Sequence, residues 1–405
     1  MKLLHTADWH LNDRLGRIDR TDDLRKAVER VAAHCHAETV DVLIVAGDLF
    51  SELARPDALR DTIRHWQDVF ADFLTGGGTI LTCTGNHDNE TFCQTLRHAM
   101  TLAAPAVGKP GAVVPPGRLY LASEPTVLRL PDRAGGFTVP FVLMPYPTPS
   151  RYLGGQRYAS ADEKNRLLIE AFERTLNELA AHPSVASGPP PVLVAHVHVH
   201  GSNLGPSLFR MSEQEDVVVG AATWAERFSY AALGHIHKPQ ALGGHEHIRY
   251  SGGIERLDLG EANNSLGAVL VEIGPAGRVG EVAVLPLGGT PIYEVQVSDP
   301  DEDLPRLKAE FADAQTDLVN LHVKYTAGTH NLEAVLRELE SIFPRWYARD
   351  WTETGQLGET LTVGEADRSK GFAETVRDYL RHELQNHPDA DRDDLLALAD
   401  ELLEE

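Results

Sequence analysis

Val40-Asp-Val-Leu-Ile-Val-Ala-Gly-Asp-Leu-Phe50 is the stretch on which the reading of this chain turns. Val42 to Ala46 is an unbroken apolar run, the pattern of a strand covered on both faces. It stops at Gly47-Asp48, so a carboxylate sits where a buried strand emerges. Open α/β sheets build their sites at such carboxyl ends. Gly-Asp after a strand is, alone, most often a plain turn. Four other apolar runs alter that. Lys2 to Thr6 leads into Asp8-Trp-His10, and Thr79 to Thr84 into Gly85-Asn86-His87-Asp88. Pro191 to Ala195 ends at His196, and Tyr230 to Leu233 leads into Gly-His235-Ile-His237. Five runs in succession deliver metal-competent side chains at their C-terminal ends.

The chain of 405 residues is long enough for two or three domains, and 42% hydrophobic with 24% charged residues is ordinary for a soluble protein. No run approaches the length of a membrane span. The first apolar run already ends in Asp8 and His10, unlike a signal peptide. Three unevenly spaced cysteines (Cys35, Cys83, Cys93) make neither a disulfide framework nor a zinc pattern, which points to the cytoplasm. A net charge of -23 excludes a generic nucleic-acid coat protein, so any nucleic-acid contact must use local basic patches and bound cations. The loop after His10 carries Arg14, Arg17 and Arg20, which are candidates to hold a phosphate backbone.

Helical spacing marks Asp22–Glu38, Arg60–Phe73, Thr91–Ala103 and Asp162–Ala181. A helix between the first two strands implies a parallel crossover. We read residues 1–284 as one catalytic domain of class α/β. Near residue 285 the pattern restarts as a small βαβα unit, residues 285–350, with strands Ile292–Val297 and Leu318–Tyr325 and helices Leu304–Gln315 and Leu332–Phe343. Residues 351–370 are polar and Gly-rich, the composition of a linker. Residues 371–405 then hold two short apolar stripes, Phe372/Val376/Tyr379/Leu380 and Leu395/Leu398/Leu402, on helices that cannot bury their own faces. Such stripes either fold back on the body or dock a partner.

In an extended segment residues i and i+2 share a side, so Asp8-x-His10 and His235-x-His237 each present two donors together. Asp8, His10, Asp48, Asn86, His196, His235 and His237 form a nitrogen and oxygen donor set without thiolate. That set suits manganese, with iron, cobalt or zinc as alternatives. A single carboxylate bridging two cations would explain the central place of Asp48. Two cations against two aspartates and a hydroxide leave a positive site, suited to a phosphodiester. His87, next to Asn86, is the candidate general acid, oriented by Asp88. His198, His200, His245, His247, His34 and His36 are read as bystanders.

These five segments resemble the calcineurin-like metallophosphoesterases. Thr6-Ala-Asp-Trp-His-Leu11, Ala46-Gly-Asp-Leu-Phe50, Leu233-Gly-His-Ile-His-Lys-Pro-Gln240 and Ser251-Gly-Gly-Ile-Glu-Arg-Leu-Asp258 resemble the nucleases of that superfamily that work with an SMC-type ATPase of the SbcC kind. The resemblance implies a four-layer β-sandwich flanked by helices, a small α/β capping domain and a dimanganese centre. It implies that Asp8, His10, Asp48 and His237 hold one metal and Asp48, Asn86, His196 and His235 the other. It implies a homodimer through helices near Asp57–Phe73 and Thr91–Ala103. The activity implied is 3′-to-5′ exonuclease on duplex DNA and endonuclease on single strands or hairpins, in double-strand break repair. The C-terminal helices would dock on the ATPase. Ser51 departs from the histidine that archaeal and eukaryotic relatives tend to have there. Two rivals stand beside this reading, a small-molecule phosphodiesterase on the same centre and a metal-free scaffold.

Overall fold

Buried apolar strands dominate the architecture. In the computed structural model, which describes residues 1–51, 54–103, 111–186, 188–206 and 217–354, the Val42–Ala46 strand has all five residues buried. It lies between Lys2–Thr6 and Thr79–Cys83, parallel to both, with Leu119–Ala122 beyond. Gly267–Gly274 joins Lys2–Thr6 antiparallel and Gly277–Pro286 closes that edge, making six strands. The second sheet has seven strands. Its parallel centre is His245–Tyr250, Tyr230–Gly234, Val192–His196 and Thr138–Met144, flanked by Gln240–Leu242, Thr126–Pro131 and Ala112–Val113.

Alternate residues of the two sheets meet in one apolar layer, with Ile44, Leu81 and Ala46 from the first and Phe141, Val194 and Ala232 from the second. The other face of the first sheet (Leu43, Val45, Ile80) packs on helices Thr21–Ala37 and Pro56–Thr75 through Val28, Val31, Trp66 and Phe70. The other face of the second (Leu193, Ala195, Leu233) packs on helix Ala161–Ala180 through Leu168, Phe172 and Leu176. The result is helix, sheet, sheet, helix: the four-layer α/β sandwich. Apolar runs that lack alternation arise because each strand is covered twice.

Ile292–Val297 and Leu318–Tyr325 pair in parallel and, with Trp346–Glu353, form a three-stranded sheet. Helices Pro300–Glu310 and Leu332–Ile342 share its own core of Val295, Val319, Leu321, Leu339 and Phe343. The expected linker from residue 351 is corrected here. The third strand runs to Glu353, because its exposed, charged sequence needs only backbone pairing at a sheet edge. Arg345 reaches Asp23 of the first helix, Nη2 to Oδ2 at 2.5 Å.

Residues 1–325 with 331–352 make one compact unit, and residues 326–330 with 353–405 the other. Within the latter, the Thr326 N–H donates to His330 Nδ1 at 3.0 Å. Phe372, Val376, Tyr379, Leu380, Leu395, Leu398 and Leu402 lie outside the described residues. Among the described residues no helix is long and apolar enough to cross a membrane.

Candidate metal centre

The carboxyl ends of five parallel strands from the two sheets converge, and each brings its expected donors. Asp8 and His10 follow Lys2–Thr6, and Asp48 follows Val42–Ala46. Asn86 and His87 follow Thr79–Cys83, and His196 ends its own strand. His235 and His237 follow Tyr230–Gly234. Asp8, His10, Asp48, His196 and His237 are all buried.

The backbone that aims them is strained. Asp8, His10, Asp48 and His235 have φ of 53°, 43°, 51° and 100°, a region that costs a residue with a Cβ about 1–2 kcal/mol. Loop-to-loop bonds hold it: Asp8 N–H to Gly47 O at 3.1 Å, and Trp9 and His10 N–H to Asp48 O at 2.8 and 3.0 Å. Trp9 turns into the helical core, its ring 5.4 Å from Trp66, and leaves Asp8 and His10 facing the site. The shared side of Asp8 and His10 thus comes from left-handed turns, not from the extended backbone expected. Gly47 is compelled: at φ +91° a Cβ there would fall on the His196 ring.

Asp48 occupies the middle. Its Oδ2 is 3.6 Å from His10 Nε2 and 3.2 Å from His196 Nε2. Its Oδ1 accepts from the His87 N–H at 2.9 Å. On one side His10 Nε2 and His237 Nε2 face each other at 3.2 Å, with Asp8 Oδ1 4.0 Å from His237 Nε2. On the other, Asn86 Oδ1 lies 3.0 Å from both His196 Nε2 and His235 Nδ1. The Nδ1–H of His196 donates to Ala46 O at 2.7 Å, which aims Nε2 inward. Asp8 Oδ1 accepts from the His235 N–H at 2.9 Å, while its Oδ2 is buried without a hydrogen-bond partner.

Such an arrangement fits cations. Two triads, Asp8/His10/His237 and Asp8/Asp48/His196, each bring their donor atoms within 4.8 Å of one another. The buried, unbonded Asp8 oxygen asks for positive charge. Burial pushes the Asp8 carboxyl up. Burial alone would lower His196, yet the Asp48 charge lifts it to about 9. His237 is likewise lifted against burial, to about 10, chiefly by Glu261. Protons thus fill the role a metal would take.

The partner of His237 had no signal in the sequence. Glu261 Oε1 accepts from His237 Nδ1 at 2.7 Å, and Oε2 accepts from the Leu257 N–H at 2.9 Å. This carboxylate fixes the tautomer that points Nε2 inward. Glu261 reads in sequence as one acid among sixty Asp and Glu, and only the short turn at Leu259–Glu261 brings it there.

Other expectations change. Asp88 does not orient His87 through its carboxylate. Its oxygens accept from the Phe50 N–H at 2.9 Å and the Gly85 N–H at 2.8 Å, so it clamps two metal loops together. Burial, then the Asp48 charge, pushes Asp88 up to about 6. The His87 ring stands 5.0 Å from that of His10 at the half-buried edge of the site. Arg20 is buried, bonded to Asp23 at 2.6 Å and to Arg256 O at 2.7 Å, which removes it as a phosphate contact. Arg17 donates to Trp346 O and Pro344 O and stacks 3.9 Å over the Trp346 ring. Arg14 remains exposed. Ser51 donates to Asp13 Oδ1 at 2.9 Å, a short local bond.

Comparison with known proteins agrees with this geometry. Residues 1–249 match the family model described as calcineurin-like phosphoesterase. The SbcD component of the nuclease SbcCD from Bacillus subtilis (strain 168) is 25% identical over 297 residues, covering 73% of this chain and 72% of that protein. The corresponding SbcCD component from Escherichia coli (strain K12) is 26% identical over 271 residues, covering 65% and 63%. That of Staphylococcus epidermidis (strain ATCC 12228) is 24% identical over 357 residues, covering 85% and 83%.

Proposed function

We propose, for a chain that belongs to the calcineurin-like phosphoesterase family, a metal-dependent DNA nuclease working beside an SMC-type ATPase. The observation that carries this reading is the convergence of two buried aspartates, four histidines and Asn86 about Asp48. The relatives named as components of the nuclease SbcCD supply the substrate and the partner, SbcC.

Asp8, His10 and His237 would hold one cation, Asn86, His196 and His235 the other, and Asp48 both. The soft-donor-free set favours manganese. When bound, the pair supplies Lewis-acid stabilisation of charge on the phosphate. The chain does the rest. Glu261 and the Ala46 carbonyl hold two imidazoles in their working tautomers. His87, its backbone fixed to Asp48, stands where it can give a proton to the leaving oxygen. Asp88 keeps the His87 loop and the Asp48 loop in register.

The activity we infer is 3′-to-5′ exonuclease on duplex DNA and endonuclease on single strands and hairpins, serving double-strand break repair, recombination and replication in the cytoplasm. A homodimer through the Pro56–Thr75 and Glu90–Ala103 helices belongs to the same reading; Leu102, 85% exposed, supports it. The small α/β unit would cap the site, and residues 371–405 would dock SbcC. The test is cleavage of end-labelled duplex, hairpin, single-stranded DNA and a nitrophenyl phosphodiester by purified protein with manganese. We expect DNA shortened from 3′ ends and hairpins opened, both abolished by chelation. Turnover of the small diester with all DNA left intact would overturn the nuclease reading.

A further inference from the structure

We propose that Tyr146 is a positioning residue for the Asn86/His196/His235 half of the metal centre; this rests on the two-metal reading above. Tyr146 lies just past the strand Thr138–Met144, the parallel neighbour of Val192–His196. Its ring centroid is 5.4 Å from His235 at 33° and 6.1 Å from His196 at 70°. Those two imidazoles are themselves 5.3 Å apart at 77°, so three rings brace one another. The Tyr146 N–H donates to Thr84 O at 2.9 Å, two residues before Asn86. One residue thus touches both histidines through its ring and the Asn86 loop through its backbone.

The platform beneath is firm. Arg151, its side chain only 2% exposed, donates from Nη1 to Tyr146 O at 2.9 Å. The buried Tyr152 hydroxyl donates to Pro145 O at 2.8 Å. Such support matters because His235 is held at a φ of 100°, a conformation an imidazole-bearing residue leaves unless its surroundings insist on it. A rigid aromatic wall restricts both rings at little entropic cost. Groups that orient metal ligands in this way commonly change metal affinity tenfold to a hundredfold when removed.

The experiment is calorimetric titration of full-length, chelator-stripped protein with Mn²⁺, with melting of the metal-free protein measured alongside. For Tyr146→Ala we expect one of two binding steps to weaken by roughly tenfold or more, with the other unchanged. Tyr146→Phe, which keeps the ring, should retain both affinities. Unaltered affinities in Tyr146→Ala would overturn the inference. So would equal loss at both steps with a lower metal-free melting temperature, which assigns Tyr146 to general stability. Loss in Tyr146→Phe matching that in Tyr146→Ala would also overturn it, by moving the effect to the hydroxyl. A wild-type protein that takes up no metal would sink the two-metal reading and this inference together, whereas the preceding outcomes leave that reading standing.

Discussion

Asp48 is the side chain on which both halves of the centre depend. It contacts His10 on one side and His196 on the other, and it fixes the His87 backbone. Asp48→Ala should therefore lose both metals and all cleavage; elemental analysis finding two metals still bound would refute its bridging place. His87 differs in kind, since its backbone rather than its ring is tied to the carboxylate. His87→Ala should keep both metals while cleavage slows by roughly 10²–10⁴-fold, the usual worth of a general acid. Metal loss in step with activity would make His87 a ligand instead. At this scale the donors were legible because each follows an apolar run directly. Glu261 was not, since its role depends on where a turn far along the chain happens to land.

Among the elements, the helix Ala161–Ala180 shows how local sequence sets a boundary. Ser160 Oγ accepts from the Glu163 N–H at 3.1 Å, and the Glu163 carboxylate accepts from the Ala159 N–H at 2.7 Å. This is a close variant of the capping box. Ser160→Ala should cost about 1 kcal/mol of stability, read as a lower urea midpoint with unchanged metal content; no shift would mean that the cap contributes nothing. Amphipathic helices are found within a few residues of their expected places, as at Thr21–Ala37 and Leu332–Ile342. The helix expected over Leu304–Gln315 instead spans Pro300–Glu310, starting at the Asp299 cap, with a separate short turn at Ala314–Thr316. Trp346–Glu353 escaped notice because an edge strand with few buried residues carries no apolar alternation to see.

For the whole molecule, Asp23 and Arg345 join the small sheet's chain segment to the first helix. Burial would push the Asp23 carboxyl up, but Arg345 and Arg20 hold it below its ordinary value. A depressed carboxylate contributes stability above its unfolded value, about 3.9, and loses it as pH falls through the lower folded value. Asp23→Asn should thus cost about 1.5–3 kcal/mol at pH 7, with the difference shrinking below about pH 4; urea titrations giving the same gap at both pH values would contradict the pairing. Deleting residues 366–405 should leave manganese-dependent cleavage of short single strands and abolish association with the ATPase. A truncated protein that melts several degrees lower yet still co-purifies with that partner would show those stripes to be structural cover. The strand ends, the donors they carry and the doubly covered sheets were all legible in the order of residues, because apolar runs and their polar stops are local signals. Three-dimensional packing alone buried Arg20, made Asp88 a clamp between two loops and set Tyr146 and Glu261 beside the histidines. Each of these depends on segments far apart in the chain being packed together. A charged or aromatic side chain carries no mark of the neighbour that packing will give it.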